Sequence, residues 1–299
     1  KKKEFLNIYG NTDNVKSEFS PSINRLVIAG IGKREKFTSD EIRSFFAEFI
    51  RQVNLKKLDS FAIDSDSFDL NNSENAQACA EGLILGSYQF NNYKSNVKKT
   101  TEVNKIIFLG DTDKKAIDKG RIIALGVNFA RDLGNHPPNI LTPTYLANES
   151  VEVSKAKNMK STIIDIKQFK KLGLGSFYGV AMGAVEPAKM ILVEYNGGNK
   201  KDKPLALVGK GLTFDTGGIS LKPPPRMDEM KFDMCGSATV LGVMKAVSIL
   251  QPKLNIVFAI GATENMPGGK AQRPGDIVKS LSGQTIEIHK CKFGKVNSE

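Results

Sequence analysis

The chain has 299 residues, 40% of them hydrophobic and 25% charged, with a net charge of +11 at pH 7. That length allows about two domains, each able to bury a core of its own. No run of about 18 apolar residues occurs, so nothing in the sequence reads as a membrane-spanning helix. The basic start, Lys1-Lys2-Lys3, leads into no apolar stretch of the kind that marks a secretory signal.

The lysines are scattered rather than clustered, which argues against nucleic acid as a partner. Three cysteines, Cys79, Cys235 and Cys291, have no metal-type spacing. A sparse, odd set suits a reducing compartment, so the cytoplasm is the expected location. Only two histidines exist, His136 and His289. They leave little room for a histidine-based zinc centre or a Ser-His-Asp triad.

In chain order, residues 25–32 (RLVIAGIG) read as a buried strand ending in glycines. A capping box, Thr38-Ser39-Asp40-Glu41, then opens a helix. Ile42, Phe45, Phe46, Phe49, Ile50 and Val53 fall on one face of it. Strands are expected at 60–64 and 105–110, with a helix at 73–87 between them. Strands alternating with helices imply an α/β layer domain. A single helix is expected over 112–133, with Gly134 as its terminating glycine and Pro137-Pro138 barring continuation. It reads as a connector between domains 1–111 and 134–299.

The second part is expected to hold a helix near 143–157 and strands at 161–166, 190–197 and 204–209. A helix from about Ser237 to Leu250 follows, with Val240, Val243, Val247 and Leu250 on one face and Pro252 at its end. A last strand is expected at 255–262. His136, beside two prolines, reads as structural rather than as a ligand.

One stretch carries the chemistry. It runs VGKGLTFDTGGISLK from Val208 to Lys222 and, after a proline loop, MKFDMCGSA from Met230 to Ala238. It begins as a strand to Val208 and is expected to turn there into a glycine-rich loop. Lys210, Asp215 and Lys222 sit on that loop, and Asp233 at a helix start. Three readings compete: solvated charges, a phosphate cradle and a metal site. The cradle lacks both Gly-x-Gly-x-x-Gly and Gly-x-x-x-x-Gly-Lys-Ser/Thr. Carboxylates gathered from loops are what hard or borderline divalent metals need.

The stretch resembles the leucyl (cytosol) aminopeptidase family, the two-metal exopeptidases. NHPPNILTP at 135–143, ENMPGGKAQRPGD at 264–276 and SGQTIEI at 282–288 are similar to further blocks of that family in the same order. The resemblance implies an N-terminal α/β domain, a connector helix and a mixed-sheet α/β catalytic domain. It implies an enzyme removing N-terminal amino acids, leucine above all, from peptides with two divalent ions, Mn or Zn. Lys210 looks like the amine ligand of the tightly held metal, which requires the unprotonated nitrogen. Asp215 looks like the bridging carboxylate and Asp233 the second carboxylate of the tight site. Lys222 is similar to the lysine that stabilises the gem-diolate transition state. Met230 matches a position lining the pocket for the substrate's first side chain.

The resemblance stops after Ile288. The family continues with an Asn-Thr-Asp-Ala-Glu-Gly-Arg segment that supplies further Asp and Glu ligands and an arginine. Here the sequence reads HKCKFGKVNSE. The catalytic domain is therefore expected to be incomplete, truncated at its C-terminus, and the N-terminal domain shortened at its front. At most one divalent ion is expected per chain, and little or no activity. The family's homo-hexamer is not expected here. Cys235 stands where the family prefers glycine, and His289 and Cys291 are conceivable replacement ligands. A non-catalytic remnant or scaffold subunit is the alternative to a catalyst.

Overall fold

The computed structural model describes residues 5–9, 25–29, 37–55, 58–96 and 103–289. The chain divides into two units. One holds Lys1–Ser87 and Lys99–Gly120; the other holds Tyr88–Lys98 and Arg121–Glu299.

In the first unit, β1 (Phe5–Tyr9) pairs antiparallel with β2 (Arg25–Ala29). Helix α1 (Ser39–Leu55) starts on the expected capping box: Thr38 N–H donates to Glu41 Oε2 at 3.0 Å, and Glu41 N–H to Thr38 Oγ1 at 3.4 Å. Strand β3 (Ser60–Asp64) pairs in parallel with β4 (Lys105–Leu109), and α2 (Ser73–Ser87) runs between them in sequence. The α1 face read from periodicity is the core: Ile42, Phe45, Phe46, Ile50 and Val53 are all buried. Glu81 is buried too, and its carboxylate is satisfied by Arg43 Nε at 2.6 Å and Gln77 Nε2 at 2.7 Å.

Cys79 lies in this core with no exposed surface, and burial pushes its thiol well above the usual range. Only the thiolate reacts. Iodoacetamide is therefore expected to label exposed Cys235 while sparing Cys79 until the unit unfolds. Peptide mass spectrometry reads both sites. Alkylation of Cys79 as early as Cys235 would show that α2 opens locally under native conditions.

Helix α3 (Lys114–Asn135) runs two residues past the expected end, so Gly134 is helical rather than terminating. The stop is set instead by Pro137, which disfavours helix at the residue before it. Helix α4 (Pro143–Val153) is capped by Thr142, whose Oγ1 accepts from Tyr145 N–H at 3.2 Å.

The second unit is built on a four-stranded mixed sheet in the order β5-β6-β8-β7. These are β5 (Met159–Asp165), β6 (Lys189–Asn196), β7 (Leu205–Asp215) and β8 (Asn255–Asn265). The β5–β6 and β6–β8 pairs are antiparallel; β7 and β8 are parallel. The crossover between the parallel pair is α7 (Cys235–Leu250). One sheet face buries Ile191, Val193, Tyr195, Ile256, Phe258 and Ile260 in a core shared with α4 and α7. A smaller cluster around Phe169, Ala181 and Ala188 involves α5 (Ile166–Phe169) and α6 (Gly175–Ala181). Phe177 of α6 packs over Gly261, whose Cβ would meet its ring at 3.3 Å. Two short strands, β9 (Ile277–Lys279) and β10 (Thr285–Glu287), form an antiparallel pair.

Two expectations are corrected. The 204–209 strand does not stop at the first glycines but continues to Asp215, so Lys210 stands on a strand and not on a loop. Gly209 is required there, because a Cβ would lie 2.8 Å from the Cα of Ser237. And α7 buries only part of the face expected of it: Val240 and Val247 are in the core, but Val243 and Leu250 are 40% and 37% exposed, while Leu241 and Met244 are fully buried. The helix is apolar nearly all round, so spacing alone could not choose its buried side. By length and composition Met227–Leu250 would also suffice to cross a membrane, but its Ala238, Leu241 and Met244 are packed into the core of this unit.

Candidate metal centre

Lys210 and Asp215 are five residues apart on one strand. On a regular strand an odd separation puts two side chains on opposite faces. The register with β8 shows how this is overcome. Lys210 pairs with Gly261 and Leu212 with Thr263, but Phe214 pairs with Glu264 and Asp215 with Asn265. Thr213 is the extra residue of a bulge between Leu212 and Phe214. Residues 261, 263 and 265 of β8 share a face, so Lys210, Leu212 and Asp215 share it too. Bulges re-aim side chains in this way next to functional sites.

After Asp215 the chain turns tightly. Gly217 and Gly218 have φ of 92° and 68°, a conformation costly for any residue with a Cβ. The turn aims the Gly217 N–H at Asp215 Oδ1, 2.9 Å away, and folds Lys222 back over the same carboxylate. Lys222 Nζ donates to Asp215 Oδ2 at 2.6 Å, to the Asp215 carbonyl at 2.9 Å and to Met230 Sδ at 3.0 Å. A 3-10 helix, Met227–Phe232, carries Met230 and ends on Asp233. Asp233 therefore precedes α7 by two residues rather than starting it. Its Oδ1 accepts from Lys210 Nζ at 2.7 Å.

The two carboxylates differ in environment. Burial alone would push the Asp215 carboxyl up. Hydrogen bonds from Lys222, Gly217 and Asn265 and the Lys222 charge outweigh that and hold it below its ordinary value. For Asp233, burial prevails and raises the carboxyl; the Lys210 hydrogen bond and charge oppose it, while the nearby Asp215 charge adds to it. Asp233 Oδ2 is buried with no hydrogen-bond partner. A buried acceptor without a donor is costly unless something outside the protein completes it.

All five residues singled out from the sequence thus come together: Lys210, Asp215, Lys222, Met230 and Asp233. His136, Cys235 and His289 do not join them. His136 is enclosed by Phe90, Tyr93 and Tyr145, with its Nδ1 2.5 Å from the Tyr93 hydroxyl. It is a satisfied core histidine. Cys235 is exposed at the start of α7, and burial of the sulfur followed by the Asp233 charge pushes its thiol up. His289 is exposed, and Cys291 lies outside the described residues. Among the described residues, no group of three or more His, Cys, Asp or Glu side chains is gathered in one place.

Reading the sequence missed one residue. Asn265, at the end of β8, donates from Nδ2 to Asp215 Oδ1 at 2.8 Å. Its only signal was membership of the ENMPGGK block. The spacing from Asp215 means nothing until the bulge in β7 is known.

The donor set fits a divalent ion. An amine and two carboxylates converge, and one of their oxygens, Asp233 Oδ2, is buried and unpaired.

Comparison with known proteins gives the family. Residues 128–292 match the catalytic domain of the cytosol aminopeptidase family, and residues 6–97 match its N-terminal domain. The chain is 41% identical over 289 residues to a probable cytosol aminopeptidase of Pseudomonas syringae pv. tomato, covering 93% of this chain and 57% of that protein. It is 43% identical over 264 residues to one of Cenarchaeum symbiosum, covering 88% and 54%. The chain thus spans a little over half the length of these relatives. Among solved structures it is similar to the bottromycin maturation enzyme BotP in complex with Mn, with a TM-score of 0.82 and 28% identity, covering 96% of this chain and 59% of that one. The sequence blocks, the mixed sheet and the gathered lysines and carboxylates lead to one assignment: the chain belongs to the cytosol aminopeptidase family.

Proposed function

We propose that this chain carries the amine-and-carboxylate half of a metal-dependent aminopeptidase site that removes N-terminal residues from peptides. The observation that carries the reading is the gathering of Lys210, Asp215 and Asp233, with Asp233 Oδ2 buried and unpaired among them. These three would hold the ion. When bound, it supplies Lewis-acid polarisation of the scissile carbonyl and activation of water.

The chain's own residues do the rest. Lys210 must give up both its ammonium proton and its contact with Asp233 before its nitrogen can act as a donor. Lys222 Nζ is held in place by Asp215 and by the Met230 sulfur. That fixed ammonium is suited to stabilise negative charge developing on the substrate carbonyl oxygen. Met230, against Lys222, would flank the first side chain of the substrate. The domain roles follow the same reading, with the first unit N-terminal, α3 as connector and the second unit catalytic. So does a cytoplasmic location.

Three donors suit one ion, not two. Titration calorimetry of the 299-residue chain with Mn²⁺ is expected to give one weak site, and the chain alone should hydrolyse leucine p-nitroanilide little or not at all. Two tight sites, or metal-dependent turnover that Lys222→Ala leaves intact, would overturn the reading. The same shortage of carboxylates among the described residues favours a second reading, a non-catalytic scaffold subunit. A stable chain that takes up no Mn²⁺ at all would select that one.

A further inference from the structure

We infer that Asn265 is a positioning residue that fixes the orientation of the Asp215 carboxylate, committing Oδ1 to neutral donors so that Oδ2 alone faces cations. The part that concerns metal rests on the reading proposed above; the part that concerns orientation does not.

Asp215 is 1% exposed, so water does not orient it. Its Oδ1 accepts from Gly217 N–H at 2.9 Å and from Asn265 Nδ2 at 2.8 Å, both uncharged. Its Oδ2 accepts the Lys222 ammonium at 2.6 Å. A carboxylate turns about one bond, and a single donor beside it would leave that rotation loose. Two donors from different segments define the plane.

Asn265 is itself immobilised. It is 5% exposed, and its backbone carbonyl accepts from Thr216 N–H at 3.0 Å and from Thr216 Oγ1 at 2.8 Å. The backbone and side chain of Asn265 thus clamp two successive residues, Thr216 and Asp215. The bulge in β7 is what sets Asp215 directly beside Asn265 in the sheet. Groups that hold a ligand carboxylate typically matter by 10- to 100-fold in metal affinity.

Two readouts test this, one without metal. Lysine-ammonium NMR of the metal-free chain should show a slowly exchanging Lys222 signal, identified by its loss in Lys222→Arg. In Asn265→Ala that signal should broaden or vanish. In Thr216→Val, which removes the hydroxyl bond to the Asn265 carbonyl and leaves the amide in place, it should persist. In parallel, calorimetry should show Mn²⁺ affinity falling by about 10- to 100-fold in Asn265→Ala and by less than about 3-fold in Thr216→Val, with thermal melts comparing the folding of both. An unchanged Lys222 signal in Asn265→Ala would overturn the positioning role. So would equal losses in the two variants at equal stability. If the parent chain takes up no Mn²⁺, the metal reading fails, and the ammonium signal still decides the role of Asn265.

Discussion

An Asp215→Ala chain is expected to lose all measurable Mn²⁺ uptake and to be less stable by about 3 kcal/mol, the low end of the cost of breaking a buried ion pair. The low end applies because Lys222 is 20% exposed while Asp215 is 1% exposed. Removing the carboxylate strands three donors at once: the Lys222 ammonium, the Gly217 N–H and the Asn265 amide. Each was satisfied in a place that water scarcely reaches. Urea denaturation of parent and variant reads the stability and calorimetry the uptake. A loss below about 1 kcal/mol would mean that the pair behaves like an exposed surface bridge.

Gly209→Val is the second large effect, expected to cost about 3 kcal/mol, the upper end for overpacking a core. A Cβ at Gly209 would lie 2.8 Å from Ser237 Cα, 2.9 Å from the Gly236 carbonyl and 3.0 Å from Ser237 N. All are backbone atoms in the first turn of α7, so no side chain can swing aside. The helix must move away from β7, and Asp233, two residues before it, moves off Lys210. Stability and Mn²⁺ uptake should therefore fall together. Gly269→Ala is the control: nothing lies within 4 Å of its Cβ position, and it should change stability by less than about 0.5 kcal/mol. Unimpaired Mn²⁺ uptake in Gly209→Val would mean that the site does not depend on the close seat of α7 on the strand.

These two substitutions mark where the sequence was informative and where it was not. Helices with strong local signals were legible. α2 falls on Ser73–Ser87 as its pattern predicts, and α1 begins at its capping box. The course of β7 was not legible, because glycines at 209 and 211 argue locally against a strand. Their reason is tertiary: α7 presses on Gly209, and β8 backbone on Gly211. The same holds for α7, whose apolar surface exceeds what the core can cover, so that only packing picks Leu241 over Val243. The site residues were found through the resemblance of their motif and not through periodicity. Asn265 stayed hidden because its partner is 50 residues away and reached only through a shifted register.

That shifted register makes the strand a matter of parity. Upstream of Thr213 the even positions of β7 look toward the site; beyond it the odd ones do. Substitutions change what a position carries; the bulge decides which way it looks. Loss of a single residue between Leu212 and Phe214 would restore a regular ladder while keeping Lys210 and Asp215 in the sequence. Their separation would fall from five to four, and the even count would leave Asp215 on the face of Lys210, beside Asn265. Five residues on a regular ladder would instead turn Asp215 toward the apolar core. The count from the lysine to the aspartate and the bulge are therefore one unit: an odd count needs the extra residue, and an even count does without it. The same letters at the same spacing, on a strand without the bulge, would not make this site.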